Sequence, residues 1–223
     1  MSKFSGVNRI IFDLDNILIK HNYDYENELL ARQFNLQDDE EFKKQLSNMF
    51  LNNSRYIKNR IITREYFVYV IEELMPILKS IGKTGEDLLE MIDTHHAGTL
   101  MDGAEELLEY LSNKGYQMVV LTNWFGEYQF KILKKLGIDK YFERLYAWDD
   151  YYAKPNHFSI IRALDGTQPR NNIMIGDNVQ SDIILAKSTG VKAIGFNVNY
   201  SQYKKVVKAD ADVTKLIDIK NYL

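Results

Sequence analysis

Residues 9–20 read RIIFDLDNILIK, and this stretch decides the fold. The apolar run of residues 10–12 predicts a short strand that is buried on both faces of a sheet. Two carboxylates, Asp13 and Asp15, follow at the point where the chain leaves the sheet. Because open α/β sheets bind ligands at the carboxyl ends of their strands, the acid pair predicts a functional site at this edge.

Two carboxylates this close together repel each other unless a cation neutralises them or one keeps its proton. Either outcome serves chemistry, as a metal site or as a nucleophile beside an acid. The alternative is a turn acid followed by a helix cap, and Asn16 is a typical turn residue. A single aspartate would support that alternative, whereas the pair after an apolar strand favours a site.

The composition excludes several classes of function. The 223 residues allow one large domain or two modest ones, with 45% hydrophobic and 26% charged residues. The net charge of −3 leaves no basic surface for a nucleic-acid polymer, and the absence of cysteine excludes disulfides, thiolate catalysis and zinc–cysteine sites. No signal peptide or membrane-spanning stretch is evident, so we expect a cytoplasmic protein without a membrane partner. Nothing in the sequence indicates an oligomeric state.

The chain changes character twice along its length. Residues 24 to about 95 carry helical periodicity without a convincing strand, whereas strands and helices alternate from Met101 onward. Alternation of this kind predicts an α/β fold with a doubly wound parallel sheet. We therefore expect a core of residues 1–19 and 99–223, and a helical insert of residues 20–98 with hinges near 19–21 and 97–100. The predicted core elements are helices 102–113, 126–136, 157–164 and 181–188 and strands 116–121, 144–148, 172–175, 192–196 and 211–213.

The histidines near the ends of the insert suggest no joint metal site. Adjacent residues of a helix point to different sides, so His95 and His96 are predicted to be hinge or surface residues. His21 lies at the first crossing into the insert, where it could face the cleft, but we expect it to be a solvated side chain.

Further polar residues follow other predicted strands of the core. Thr122 and Asn123 follow the strand MVVL, Lys154 lies in the loop after LYAW, and Asp177 ends the strand before the helix that carries Asp182. Each has an ordinary alternative: a helix cap, a solvated lysine, a turn acid or an acid at a helix N-terminus. All of them, however, fall on the sheet edge that carries the first acid pair. This common location favours one site over separate structural roles.

The combination of side chains suits phosphoryl transfer. Asp13, Asp15 and Asp177 offer the hard oxygen ligands that Mg²⁺ prefers. Thr122 and Lys154 offer a hydrogen bond and a positive charge for phosphate oxygens. Phosphoryl transfer depends mainly on positioning and charge neutralisation, and a carboxylate nucleophile is an established strategy.

Four motifs in order, FDLDNIL, LTN, AKP and GDNVQSD, resemble the haloacid dehalogenase superfamily, and the helical insert resembles its C1-capped branch. The resemblance implies a Rossmann-like core with strand order 3-2-1-4-5. It implies that Asp13 is the nucleophile, Asp15 the general acid/base, and Lys154 the lysine that steadies the nucleophile and the phosphoryl group. Thr122, with the backbone near Asn123, matches the phosphate-binding position. Asp177 matches a Mg²⁺ ligand, together with Asp13 and the backbone carbonyl of Asp15, and Asp182 matches the supporting second acid.

The sequence departs from the family pattern without losing a catalytic group. Asn16 replaces the usual glycine, and asparagine at this position resembles the motif of a nucleotidase-like subgroup. Ile17 replaces the usual threonine, and Asn156 replaces a more common acid. We expect a Mg²⁺-dependent phosphatase that hydrolyses a small phosphorylated metabolite through an aspartyl-phosphate, with a nucleoside monophosphate as one candidate.

Several alternatives stay open at this point. A haloacid dehalogenase would use the same nucleophile but would not need an acid at Asp15, and a phosphomutase would have to retain a sugar intermediate. A catalytically silent phosphate-binding protein is possible on the same fold. A phospho-receiver domain is disfavoured by the length of the chain and by its helical insert, and no Gly-x-Gly-x-x-Gly follows a strand to bind a nucleotide cofactor.

Overall fold

The computed structural model describes residues 4–52, 54–57, 60–95, 98–203 and 207–223. The strands are β1 (Arg9–Phe12), β2 (Ile19–Lys20), β3 (Thr99–Leu100), β4 (Gln117–Leu121), β5 (Arg144–Tyr146), β6 (Asn172–Gly176), β7 (Lys192–Phe196) and β8 (Ala211–Val213). The α-helices are α1 (Tyr23–Gln33), α2 (Glu40–Asn52), α3 (Ser54–Ile57), α4 (Arg64–Leu74), α5 (Ile77–Ser80), α6 (Gly85–His95), α7 (Ala104–Asn113), α8 (Gly126–Lys135), α9 (His157–Leu164) and α10 (Leu185–Ser188). No helix within these ranges is both long and apolar enough to cross a membrane.

Within the described ranges, six parallel strands form one sheet in the order β5-β4-β1-β6-β7-β8. When only the strands of this sheet are numbered in chain order, the order is 3-2-1-4-5-6. This is the predicted 3-2-1-4-5 order with a sixth strand at the edge, and it confirms the α/β, Rossmann-like fold. Phe12 at the end of β1 lies level with Val120 and Ile175 on its two neighbours. The residues that follow these three strands therefore emerge together at the carboxyl edge of the sheet.

The central strands are buried on both faces, as the apolar run of residues 10–12 predicts. On one face Ile11, Val119 and Met174 pack in a single cluster with Ile160 and Leu185 from the covering helices. Burial on both faces explains why these strands read as continuous apolar runs rather than alternating ones. It also gives β1 a rigid base from which Asp13 projects.

The chain divides into two compact units. The first contains Met1–Lys20, Asn59–Ile61 and Thr99–Leu223, and the second contains His21–Lys58 and Ile62–Gly98. The chain leaves and re-enters the first unit beside the antiparallel pair of β2 and β3. The segment 59–61 lies inside the predicted insert but groups with the first unit, where Ile61 pairs with Tyr152.

The second unit consists of helices in the part that the structure describes. Its helices bury apolar faces such as Phe67, Val70 and Ile71 of α4. Arg64 joins α4 to α6, because its Nε lies 2.7 Å from Glu86 and its guanidinium lies 2.9 Å from Asp93. The buried apolar faces form the core of this unit, and the ion pairs of Arg64 link two of its helices.

The predicted solvation of His21 is wrong. Its side chain is 2% exposed, its Nδ1 lies 3.2 Å from Glu26 Oε1, and its ring stacks on Tyr23. The carboxylate of Glu26 at the start of α1 gives the imidazole a local partner, so the ring is buried instead of solvated. The predicted hinge at 97–100 includes Ala97, which lies outside the described residues, as does His96, together with the side chain of His95.

Several boundaries of the core elements differ from the predictions, and the differences at α7, at β5 and at the predicted helix 181–188 are the largest. Helix α7 begins at Ala104 rather than at 102, because Gly103 precedes it with a left-handed backbone at φ +80°. Strand β5 ends at Tyr146, two residues earlier than predicted. The predicted helix 181–188 is a π-helical turn over Val179–Ile184 followed by α10. That wider turn carries Asp182, so the irregularity falls within the candidate site.

Candidate active site

Asp13 continues the line of β1 beyond its last strand residue. Its N–H donates to the carbonyl of Ile175 at 2.9 Å, which fixes the backbone beside β6. Its Oδ1 accepts from the N–H of Leu14 at 2.8 Å and lies 2.8 Å from Lys154 Nζ. The carboxylate is therefore held in one orientation, with one oxygen engaged by two donors.

Lys154 is buried between two carboxylates. Its Nζ lies 2.8 Å from Asp13 Oδ1 and 2.7 Å from Asp182 Oδ1, and the residue is 3% exposed. Burial alone would lower the pKa of this ammonium, but the two carboxylates outweigh burial and raise the pKa. Lys154 is therefore a permanent positive charge at the end of β1.

The backbone of Lys154 is held by the side chain of Asn123. The Asn123 Oδ1 accepts from the N–H of Lys154 at 2.7 Å, and its Nδ2 donates to the carbonyl of the same residue at 2.9 Å. The side chain of Asn123 is thus engaged by the lysine loop. Its predicted phosphate contact would come from the backbone, as the sequence resemblance implied.

Asp182 is fully buried in the π-helical turn after β6. Its Oδ1 binds Lys154, and its Oδ2 accepts from the N–H of Asn178 at 2.9 Å. Asn178 in turn caps the turn by accepting from the N–H groups of Gln180 and Ser181. Both oxygens of Asp182 have partners in the protein, which suits a supporting acid better than a metal ligand.

Asp15 and Thr122 are linked through a residue that the sequence reading did not select. Gln129 Nε2 donates to Asp15 Oδ2 at 3.0 Å and lies 3.4 Å from Thr122 Oγ1. Thr122 is held by its own N–H, which donates to the carbonyl of Tyr146 at 3.0 Å. Gln129 lies on the buried face of α8 with Ile132 and Leu133. An amide on an otherwise apolar helix face is the signal that could have identified it.

The cluster at the sheet edge can accommodate a divalent cation. One carboxylate oxygen each from Asp13, Asp177 and Asp182 lies within 4.8 Å of the others. Carboxylate oxygens are the hard ligands that Mg²⁺ prefers. Because the oxygens of Asp182 already have partners, Asp13 and Asp177 are the two side chains that fit the ion best.

Electrostatics at this cluster favour a positive ligand. Burial raises the pKa of Asp13 well above its usual value, against the opposing effect of Lys154. Burial, and then repulsion from Asp182, raise the pKa of Asp177 to about 6. Three carboxylates facing one ammonium leave excess negative charge, which a bound cation would neutralise.

The turn after β1 explains two departures from the family pattern. Asn16 adopts a left-handed backbone at φ +62°, and its N–H donates to the carbonyl of Ile19 at 2.7 Å. Asparagine tolerates this conformation better than other side chains, so it can replace glycine there. Ile17 is fully buried, so its apolar side chain fits where a hydroxyl would need a partner.

The chain resembles known proteins over most of its length. A model of the haloacid dehalogenase-like hydrolase family matches residues 10–196. The phosphoglycolate phosphatase of Nitrosococcus oceani is 28% identical over 157 residues, covering 64% of this chain and 69% of that protein. The glyceraldehyde 3-phosphate phosphatase of Methanothermobacter thermautotrophicus is 32% identical over 114 residues, covering 49% and 50%. The chain thus spans roughly half to two thirds of the length of the curated relatives it matches.

A solved structure supports the same fold. The HAD-hydrolase YfnB of Bacillus subtilis, described as bound to magnesium, superposes with a TM-score of 0.74 at 19% identity. The match covers 97% of this chain and all of that one. With the family match spanning most of the sequence and the motif residues gathered at one sheet edge, the chain belongs to the haloacid dehalogenase-like hydrolases.

Proposed function

We propose that the protein is a Mg²⁺-dependent phosphatase that hydrolyses a small phosphorylated metabolite through an aspartyl-phosphate on Asp13. One observation carries the proposal. A second carboxylate, Asp15, lies beside the Asp13–Lys154–Asp182 cluster and is hydrogen-bonded by Gln129, which also reaches Thr122. The side chains proposed as nucleophile, acid and phosphate-binding hydroxyl are thus gathered in one place.

In the first step an Asp13 carboxylate oxygen attacks phosphorus and the ester P–O bond breaks. Lys154 holds the attacking carboxylate and offers positive charge to the phosphoryl oxygens, while Thr122 Oγ1 donates a hydrogen bond to one of them. Such fixed charges stabilise a transition state because they need no reorganisation during the reaction. Asp182 keeps Lys154 in place.

Asp15 supplies the proton in this step and takes one back in the next. It protonates the leaving alkoxide, and then it accepts a proton from the water that attacks phosphorus and releases Asp13 and inorganic phosphate. General acid–base catalysis of this kind typically contributes about 10²–10⁴-fold. A dehalogenase releases halide, which needs no proton, so the positioned Asp15 favours a phosphatase over a dehalogenase.

Asp13 and Asp177, with the backbone carbonyl of Asp15, would hold Mg²⁺. The ion would supply positive charge to the phosphoryl oxygens. The raised pKa of Asp177 supports this assignment, because a buried carboxyl among other acids is the type of group that a cation stabilises in its charged form.

The substrate class follows from the relatives rather than from the site. Relatives are named as phosphatases of phosphoglycolate and of glyceraldehyde 3-phosphate, which are small phosphate esters. We infer a small cytoplasmic phosphate ester and assign its selection to the helical unit, because the residues proposed to bind phosphate all lie in the other unit.

A nucleoside monophosphate is a narrower candidate for the same site. Two features of the sequence support it: Asn16, which the left-handed backbone of that turn also explains, and the tyrosines of the insert, whose rings could stack on a nucleobase. Tyr66 contacts Tyr69 and donates to the carbonyl of Tyr56, so part of that group is used in packing. A nucleotide is therefore one member of the test panel rather than the favoured substrate.

The test is a panel of phosphate esters assayed with and without Mg²⁺. It should contain phosphoglycolate, triose and sugar phosphates, nucleoside monophosphates and p-nitrophenyl phosphate, with a 2-haloacid to detect dehalogenation. The Asp13→Asn variant serves as the blank. Mg²⁺-dependent phosphate release that disappears in this blank supports the proposal. Halide release, conversion of a sugar phosphate to its isomer, or phosphate binding without turnover would identify the dehalogenase, the phosphomutase or the silent binding protein instead.

A further inference from the structure

Gln129 is a buried amide inside the apolar face of a helix. The residue is 1% exposed and lies among buried side chains of α8, including Tyr128, Ile132 and Leu133. Burying an amide is unfavourable unless it gains hydrogen bonds, so an amide at such a position calls for specific partners. Its partners are Asp15 Oδ2 at 3.0 Å and, at the longer distance of 3.4 Å, Thr122 Oγ1.

These partners are unusual for a residue with a purely structural role. The bonds join α8 to residues 114 and 7 positions away, and both partners are side chains assigned to the proposed reaction. The oxygen of the amide has no such contact, because Gln129 Oε1 is buried and has no hydrogen-bond partner within the described ranges. A leucine or methionine would fill this place on the helix without leaving a buried oxygen unpaired. The amide is therefore retained at a cost to folding, and its N–H groups point at the reaction site.

We propose that Gln129 is a positioning residue for the general acid/base, an inference that rests on the proposed phosphatase function. Its Nε2–H donates to Oδ2 of Asp15 and so fixes the rotation of that carboxyl group. Because the amide donor occupies Oδ2, the proton that Asp15 transfers is carried on Oδ1. The same amide donates to Thr122 Oγ1 and so holds the hydroxyl near Asp15, with the hydroxyl's own hydrogen pointing to a phosphoryl oxygen.

This role predicts a dependence on the leaving group. p-Nitrophenyl phosphate releases an anion that its nitro group stabilises, so its cleavage needs little help from an acid. Phenyl phosphate and glycerol 2-phosphate release more basic oxygens and depend on the proton from Asp15. Misplacing the acid should therefore slow the second group of esters more than the first.

The experiment compares kcat/KM of the full-length protein and its Gln129→Met variant on these three esters with Mg²⁺. This ratio reports on the steps up to formation of the aspartyl-phosphate, so later hydrolysis of that intermediate cannot mask the leaving group. We expect a loss below about 3-fold for p-nitrophenyl phosphate and about 10–10²-fold for the other two. Methionine has nearly the same length as glutamine and suits a buried position, and Gln129→Asn is the second variant, because it keeps an amide that is too short to reach Asp15.

The matched control is Gln45→Met, which removes a helix glutamine that bonds Glu41 and the N–H of Ile77 in the other unit. It should leave unchanged both the ranking of the three esters by kcat/KM and the ratios between their kcat/KM values. An equal loss on all three esters in both Gln129 variants would overturn the positioning role while leaving the phosphatase intact. If the unaltered protein hydrolysed none of these esters and none of the larger panel, the proposed function would fail and this inference with it.

Discussion

Asn123 holds the backbone of Lys154 at both ends, because its Oδ1 accepts from the lysine N–H at 2.7 Å and its Nδ2 donates to the lysine carbonyl at 2.9 Å. The peptide that carries the buried ammonium is thereby fixed to the second residue after β4. The amide determines where the positive charge lies relative to Asp13, although it touches neither group of that ion pair.

Replacing Asn123 with alanine should lower kcat strongly and should lower the free energy of unfolding only slightly. Without the two hydrogen bonds the lysine loop can shift, and a misplacement of about 1 Å at a reacting group costs on the order of 10²-fold. Steady-state kinetics and thermal unfolding of the same preparation measure both effects.

The control is Asn172→Ala at the opposite end of β6, where a buried asparagine donates to Thr167 Oγ1 and the carbonyl of Gln168. This variant should lose stability and keep its kcat per folded molecule. Equal effects of the two substitutions on kcat would argue against a positioning role for Asn123.

Asp13→Asn should abolish turnover while preserving the fold. The change is nearly isosteric, and it removes the anionic oxygen that we propose attacks phosphorus. We expect a loss of at least about 10³-fold, and no phosphorylated protein by mass spectrometry when a substrate is mixed and quenched with acid. A phosphoryl group found on the variant, or near-normal turnover, would place the nucleophile elsewhere.

Much of the fold could be predicted from sequence because its signals are local. The apolar run of residues 10–12 is followed directly by Asp13, and other strands of similar character are followed by Thr122 or Asp177, so the motifs also mark the ends of the strands. Parallel register then brings these ends to one edge. The gathering of the site residues needs no information beyond strand order.

The interactions that position those residues could not be predicted in the same way. The bond from Asn123 to Lys154 joins residues 31 positions apart, and the bond from Gln129 to Asp15 joins residues 114 positions apart. In the sequence, Asn123 is an ordinary polar residue before a helix, and Gln129 is an ordinary polar residue on that helix. Likewise, the π-helical turn that carries Asp182 has the same apolar spacing as a regular helix, so periodicity predicts the wrong type of turn.

Mg²⁺ should stabilise the protein more as the pH rises through about 6. The pKa of Asp177 is raised to about 6 by burial and by Asp182, so in the metal-free protein the folded state binds a proton that the unfolded state, with its ordinary value of 3.8, has released. The free energy of unfolding of the metal-free protein therefore falls as the pH rises from about 4 to above 6, by about 1–3 kcal/mol. Because the proposed Mg²⁺ site uses the same carboxylate as the proton, we expect added Mg²⁺ to reverse this loss.

Thermal unfolding at about pH 5 and about pH 7.5, in chelator and in Mg²⁺, measures the effect. Asp177→Asn is the matched variant: it cannot titrate, so it should lose this part of the pH dependence and most of the stabilisation by Mg²⁺. Stabilisation by Mg²⁺ that is the same at both pH values, or unchanged in Asp177→Asn, would remove Asp177 from the metal site.

Gly176 is the residue whose lack of a side chain allows Asp182 to reach Lys154. A Cβ atom at Gly176 would overlap the Asp182 side chain, including Cβ, Cγ and Oδ2, far inside van der Waals contact. Gly176→Ala must therefore displace Asp182 and weaken its 2.7 Å contact with the ammonium. We expect a loss of about 1–3 kcal/mol in the free energy of unfolding and about 10–10²-fold in kcat. Gly166→Ala is the control: that glycine has a left-handed backbone at φ +79° with no atom within 4 Å of the added carbon. The control should lose about 1–2 kcal/mol through backbone strain and keep its kcat, so a Gly176→Ala protein with normal turnover would show that Asp182 is not needed to hold Lys154.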